Sequence, residues 1–305
     1  MSGKVMKIAE MTSPEIDALD RARTLFVMAL SPLEVHGPHL PLGTDVTVAE
    51  EIRDRALAKL SERLPDFDFV LFPSYSLGSD TIPRSVEVDS RAVFYVVSAA
   101  AGFLADRGFR YLLVTDNHGG PRHQIATAKA VRKAYKRGVS VCAPFLSFYR
   151  RMVENDPVLM DRLGAGPGAC GDTDDCHAGL NETSLMLKAS PGQVRGEWTG
   201  LQRTAIGRRR WPNLLLGNVG RVLQALGAGK LAADVRYLGV MLSWVTMKEP
   251  PTYIGEPRAA SEQAGDRMLN AFSDEAVEAV EVAVAGGEPY HTPIGWSLRF
   301  LEPSH

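Results

Sequence analysis

A single-domain α/β/α layered fold with a mostly parallel sheet is predicted for residues 1–305 by two observations. Short, nearly unbroken apolar runs recur in the order strand, loop, helix, as expected of parallel strands buried on both faces. The polar, Gly-rich clusters at 34–45 and 116–120 fall immediately after two of those runs, where ligands sit in open α/β sheets.

In chain order, Ser13 followed by Pro14 and Glu15 signals a helix start within residues 6–22. Residues 24–33 form the first apolar strand, and 48–64 read as a helix with Ala49, Ile52, Ala56 and Leu60 on one face. A second strand over 69–73 runs into a long polar loop. A helix over 90–107 is ended by Gly108, a strand spans 111–115, and a helix over 124–137 is stopped by Gly138. Another strand covers 139–143. Residues 146–176 lack clean periodicity and read as an excursion long enough to shape a pocket. A helix runs to Lys188, 192–218 read as irregular, 235–245 as a strand, and 259–280 as a long helix. Neither an internal repeat nor a linker interrupts this order.

Composition narrows the function. With 34 basic and 36 acidic residues and a formal net charge of −2, nothing points to nucleic acid or an anionic membrane. The basic triplet Arg208, Arg209 and Arg210 reads as a solvated face or subunit contact. Cys142, Cys170 and Cys176 are odd in number and lack close pairing, which fits a reducing cytoplasm rather than a disulfide framework. No apolar run is long enough for a membrane span, so the cytoplasm is the expected location.

Three separated segments offer metal-ligand chemistry: Glu34, His36 and Asp45; His118; and His177 with Glu182. Imidazole and carboxylate groups in such numbers exceed the needs of one zinc or manganese ion, and a shared carboxylate can bridge two. His39 beside them reads as a supporting group, His123 as structural or at a pocket rim, and Asp116 and Asn117 as groups that orient His118 or form its turn. A Cys176/His177 nucleophile pair would leave Glu34, His36 and Asp45 without a role. Trp198, Trp211 and Trp244 read as core or interface residues.

The segments LEVHGPHLPLGTD, TDNHGG and HAGLNETS, with the weaker YIGEPRAASEQAG, resemble in sequence and order those of the creatininase (creatinine amidohydrolase) family. The resemblance implies two divalent metal ions, zinc and/or manganese with iron also possible. It further implies hydrolysis of a C–N bond (amide, cyclic amide or formamide, other than a peptide bond) in a small molecule by a metal-bridging hydroxide, and a homo-oligomer, often a hexamer. Carried over, Glu34, Asp45 and His118 hold one ion and His36 and Asp45 the other, while His177 acts on the substrate side and Asp174 in a similar second role. Gly120 stands where creatininase has a glutamate ligand, which leaves Glu182 to complete the second ion. Creatininase also has an aromatic residue where Gly119 stands and a tryptophan in the loop before His177, so creatinine itself is not the expected substrate. Metal-dependent lyase, isomerase or C–C hydrolase chemistry on a keto or sugar-like substrate, and non-catalytic binding on the same fold, are the alternatives.

Overall fold

The protein is described by a computed structural model that covers residues 3–164, 175–206, 211–289 and 292–301. Among the described residues six strands follow in chain order: β1 (Val5–Lys7), β2 (Thr24–Ser31), β3 (Asp68–Leu71), β4 (Tyr75–Ser76), β5 (Tyr111–Thr115) and β6 (Ser140–Cys142). The sheet order is β1-β3-β2-β5-β6, with β4 pairing the far end of β2, and every pairing between these strands is parallel. From β2 the chain moves to β3 on one side and then to β5 on the other. The crevice beyond β2 and β5 is therefore the switch point at which open α/β sheets bind ligands.

The period-two alternation of β2 divides the core. Phe26, Met28 and Leu30 face one layer, where they pack with Val93, Phe94 and Leu104 of α3 (Ser90–Asp106) and Ala126, Ala130 and Val131 of α4 (Pro121–Tyr135). Leu25 and Val27 face the other, against Ala56 and Leu60 of α2 (Thr44–Arg63) and Ala276, Val277 and Val280 of α10 (Glu262–Val284). Helices on both faces leave β2 without an exposed residue.

The remaining helices are α1 (Ser13–Asp17), α5 (Phe145–Val153), α6 (Pro157–Leu163), α7 (Leu180–Ala189), α8 (Trp211–Ala225) and α9 (Gly229–Val245). Several differ from the sequence expectation. Residues 235–245 are the second half of α9, not a strand. Buried Ala233, Tyr237, Val240 and Trp244 recur at i, i+4, i+7 and i+11, a helical period hidden by the β-branched and aromatic content of the run. The expected irregular stretch 192–218 contains the start of α8, and the aperiodic segment 146–176 contains most of α5 and all of α6. Near the N-terminus, residues 5–7 join the sheet edge. The first helix is short and capped by Thr12, whose N–H donates to Glu15 Oε2 at 2.7 Å, rather than by Ser13. Among the described residues no helix is long and apolar enough to cross a membrane. Arg208, Arg209, Arg210, Cys170 and Asp174 lie outside the described residues.

Candidate metal centre

The strand β2 stops at Ser31, yet its continuation is held in place. Leu33 pairs with Val86 and His36 with Leu40 in isolated bridges, and the Glu34 N–H donates to Leu42 O at 2.9 Å. This folds the 31–45 segment back so that Asp45, in the first turn of α2, faces Glu34 and His36. From the end of β5, Asp116 organises the next loop. Its Oδ1 accepts from Ser31 Oγ, from Asn117 N at 2.8 Å and from His118 N at 3.0 Å. The third segment enters through Ala178, which sits in the left-handed region at φ +49°, a conformation costing on the order of 1–3 kcal/mol outside glycine. The pairing of Ile254 N with His177 O at 2.7 Å holds it, and Ala178 N donates to Glu182 Oε2 at 2.5 Å.

Five side chains converge. His118 Nδ1 lies 3.0 Å from Glu34 Oε2 and 3.7 Å from Asp45 Oδ2. His36 Nε2 lies 3.4 Å from both Asp45 Oδ1 and Glu182 Oε2. Glu34, Asp45 and His118 thus form one potential metal-binding group and His36, Asp45 and Glu182 a second, with Asp45 common to both; Glu34, His36 and His177 form a further one. The structure thus brings Glu182 beside His36. Asn117 ties the sets together, its Nδ2 donating to Asp45 Oδ1 at 3.0 Å and to Glu182 Oε1 at 3.3 Å.

Protonation follows from the backbone. A carbonyl oxygen only accepts, so His36 Nδ1 donates to Glu34 O (3.0 Å) and His118 Nε2 donates to Ser79 O (2.9 Å). In each neutral ring the nitrogen facing the carboxylates then carries a lone pair, the orientation a metal ligand needs. His36 Nε2 and Asp45 Oδ2 are buried without a hydrogen-bond partner among the described residues. Buried polar atoms in this state call for an unseen partner, and a divalent cation fits this donor set.

Burial pulls the His36 imidazole down, but Asp45 and Glu182 hold it well above its ordinary value; Glu34 and Asp45 do the same for His118. Burial pushes the Glu34 and Asp45 carboxyls up, yet the neighbouring histidines keep both below the usual carboxylate range. Without an ion the surrounding carboxylates therefore favour the charged form of both imidazoles. Their raised values make a stabilising contribution that is complete below the ordinary imidazole value of about 6.5 and lost as pH rises through the raised values. The contribution of Glu34 and Asp45 is present above the ordinary carboxylate range and lost only in acid. Metal-free protein is accordingly expected to lose Tm on the alkaline side of neutrality. Metal loading near pH 7 should release about two protons as the imidazoles become ligands. Calorimetry in buffers of different ionisation enthalpy reads this directly, and proton-free binding would contradict it.

His177 Nε2 donates to Val35 O at 2.7 Å, and the ring stacks on His36 with centroids 4.4 Å apart. Trp244 of α9 lies 5.2 Å from the same ring, tilted by 54°, and lines the cavity, so it belongs to the site rather than to core alone. His39 is buried and joined to Thr183 Oγ1 at 2.8 Å; burial and His36 lower its pKa to about 4. It braces the loop against α7 and belongs to none of the ligand groups. His123, fully buried, lies 3.1 Å from Asp116 Oδ2, behind His118. Cys176 packs beside Ile82, Trp244 and Ile254.

Three features escaped the sequence reading. Asn117 clasps two carboxylates. Residues 79–82 supply the Ser79 carbonyl and the Ile82 N–H that donates to Glu34 Oε1 at 2.8 Å. A cavity of about 490 Å³ opens over the candidate ligand groups, walled by α5, α9 and α10. The polar loop after the second strand and the 146–176 excursion, which contains most of α5, were the hints in the sequence, whereas the wall residues of α9 and α10 look like ordinary core.

A profile of the family Creatininase, described as creatinine amidohydrolase, matches residues 9–280. In sequence the chain is similar to the mycofactocin precursor peptide peptidase of Mycobacterium tuberculosis (strain CDC 1551 / Oshkosh), at 25% identity over 91% of this chain and 92% of that one. The protein of the same name from Mycolicibacterium smegmatis is 26% identical, over 81% and 83% of the two chains. In fold it is similar to the structure titled Creatininase Mn (TM-score 0.61, 17% identity, 91% of this chain and 98% of that chain). A putative creatinine amidohydrolase from Bacteroides fragilis NCTC 9343 gives a TM-score of 0.60 at 16% identity, over 93% and 98%. The similar structures share the fold, while the relatives by sequence bear a peptidase name. The chain belongs to the creatininase family of hydrolases and is not creatininase itself.

Proposed function

We propose that the protein is a metal-dependent amidohydrolase that cuts the amide C–N bond of a small, peptide-like molecule. The observation that carries this reading is the pair of ligand groups sharing Asp45, with His36 Nε2 and Asp45 Oδ2 buried, convergent and unpartnered among the described residues. Glu34, Asp45 and His118 would hold one divalent ion, and His36, Asp45 and Glu182 the other, with zinc, manganese or iron all compatible with nitrogen and carboxylate donors. Ions held there supply Lewis acidity toward the carbonyl and a water activated at neutral pH.

The chain's own groups do the rest. Asn117 holds the Asp45 and Glu182 carboxylates beside each other. His177, its Nε2–H committed to Val35 O, has Nδ1 left to take up a proton and pass it to the departing nitrogen. The stack on His36 and the tilted contact with Trp244 hold the plane of its ring. Asp174 is retained as a second proton-carrying group in this reading. The apolar cavity wall excludes water from the reacting bond. The cavity reaches Glu34, His118, His177 and Glu182, which favours catalysis over a plugged binding site.

The peptidase name of the relatives, and the absence of aromatic side chains at Gly119 and in the 171–176 segment, favour an amide within a peptide-like chain over a creatinine-like ring or other non-peptide C–N bond. An oligomer is part of the same proposal. It is supported by the exposed stripe Leu215, Val219, Val222 and Leu226 at helical spacing on α8 and just beyond its end. Elemental analysis of purified protein should find about two transition-metal ions per chain, and chelation should abolish amide hydrolysis. Undiminished turnover by metal-free protein would refute the proposal.

A further inference from the structure

The cavity over the ligands is largely apolar, and two tyrosines supply a hydrogen-bonding edge to it. Phe145, Met152, Met241, Leu242 and Phe272 contribute walls, and Tyr149 and Tyr237 also line it. Tyr237 Oη donates to Gly119 O at 3.0 Å, and the two tyrosine hydroxyls are 3.1 Å apart. Direction follows from proton count. A phenol has one proton, and that of Tyr237 is committed to a carbonyl that only accepts, so Tyr149 donates to Tyr237. The Tyr149 oxygen then offers only lone pairs to anything entering the cavity. Burial, together with Cys176, Glu182 and Glu34, pushes this phenol up, so it keeps its proton.

The position of Tyr149 depends on Gly119. A Cβ at residue 119 would lie 2.6 Å from Tyr149 Cζ and 2.7 Å from its hydroxyl oxygen. The space beside His118 that a side chain at 119 would fill is occupied instead by a ring delivered from α5.

We propose that Tyr149 is a specificity-determining residue that accepts a hydrogen bond from an N–H of the substrate, while the apolar walls take a bulky aromatic or branched side chain next to the bond that is cut. The inference rests on the amidohydrolase reading for which bond breaks, but not for what binds. A small polar ring would leave the walls uncovered, and a tertiary amide would leave the Tyr149 oxygen unmatched in a buried place, which is the penalised case.

The test is a binding titration with the full-length, metal-loaded protein, read by tryptophan fluorescence because Trp244 borders the cavity. The probes are N-acetylphenylalanine methylamide, its alanine counterpart, and the phenylalanine compound with both nitrogens methylated. The phenylalanine compound should bind at least about ten-fold tighter than the alanine one. Methylation should cost about ten-fold, and Tyr149→Phe should cost the same on the parent compound and nothing on the methylated one. Should Tyr149→Phe fail to fold, Tyr237→Phe frees the Tyr149 proton and should shrink the same preference. Equal binding of the alanine and phenylalanine probes, an N–H preference untouched by the variants, or no binding of any probe overturns the inference. Release of amine is scored separately. Binding with the expected pattern but no hydrolysis would sink the amidohydrolase reading and leave the cavity assignment standing.

Discussion

Asp45→Asn is expected to remove both metal ions rather than one, and to lower kcat/KM by about a thousand-fold or more. The reason lies in how the two carboxylate oxygens are divided. Oδ1 faces His36 Nε2 at 3.4 Å and accepts from Asn117 Nδ2, whereas Oδ2 faces His118 Nδ1 at 3.7 Å. An amide has a single acceptor. Turned to keep the Asn117 bond, it presents NH2 to the His118 side; turned the other way, it sets two NH2 groups against each other. Either way one ion loses its ligand and the remaining one loses a negative charge. Metal content by mass spectrometry, with circular dichroism to show that the fold persists, reads the result. A variant that keeps both ions would remove Asp45 from its bridging role.

Glu182→Gln should be narrower in effect. The His36 group loses its carboxylate while Glu34, Asp45 and His118 stay intact, so about one ion per chain should remain. The weakened site should fall by more than the roughly 10–100-fold that losing an outer partner costs. The companion experiment is decisive about Gly120. If position 120 were simply a vacant ligand site, Glu182→Gln combined with Gly120→Glu would recover the second ion. The structure predicts the opposite. A Cβ at 120 would run into His118 Nε2 and lie 2.7 Å from Ser79 O, disrupting the hydrogen bond that sets the His118 proton. The double variant should therefore hold less metal than the single one. Two ions per chain in the double variant would show that the loop gives way and that the glycine has no steric origin.

Much of this was legible in the chain. The buried strands at 24–33, 69–73 and 111–115 were recognisable because parallel strands covered on both faces lack polar interruptions. Glu34, His36, Asp45 and His118 stood out because they follow two such runs, and Glu182 because its segment resembles the family's and Gly120 leaves a ligand missing. What stayed hidden is non-local. Asn117 looks like a turn residue until Asp45 and Glu182 arrive from distant segments. Tyr149 and Tyr237 look like core until the carbonyl of Gly119 gives them a direction. The misreading of 235–245 has a simpler cause: Val235, Tyr237, Val240 and Trp244 suit a strand by residue type, and only their spacing, with Ala233, favours a helix. Asp174 falls outside the described residues, and its role remains part of the proposal.

The dependence of the cavity on α9 has an engineering consequence. Every ligand atom of the two shared-Asp45 groups comes from the loops beyond β2 and β5, the start of α2, and α7, whereas Tyr237, Met241, Leu242 and Trp244 come from one helix downstream. The cutting edge and the jaw that selects the workpiece are thus encoded in different stretches of the chain. Exchanging wall residues of α9 such as Met241 and Leu242, while leaving Tyr237 and Trp244 in place, is expected to change what the cavity accepts without touching the candidate metal-binding groups. A lineage keeping this centre constant has the same freedom to change what it accepts.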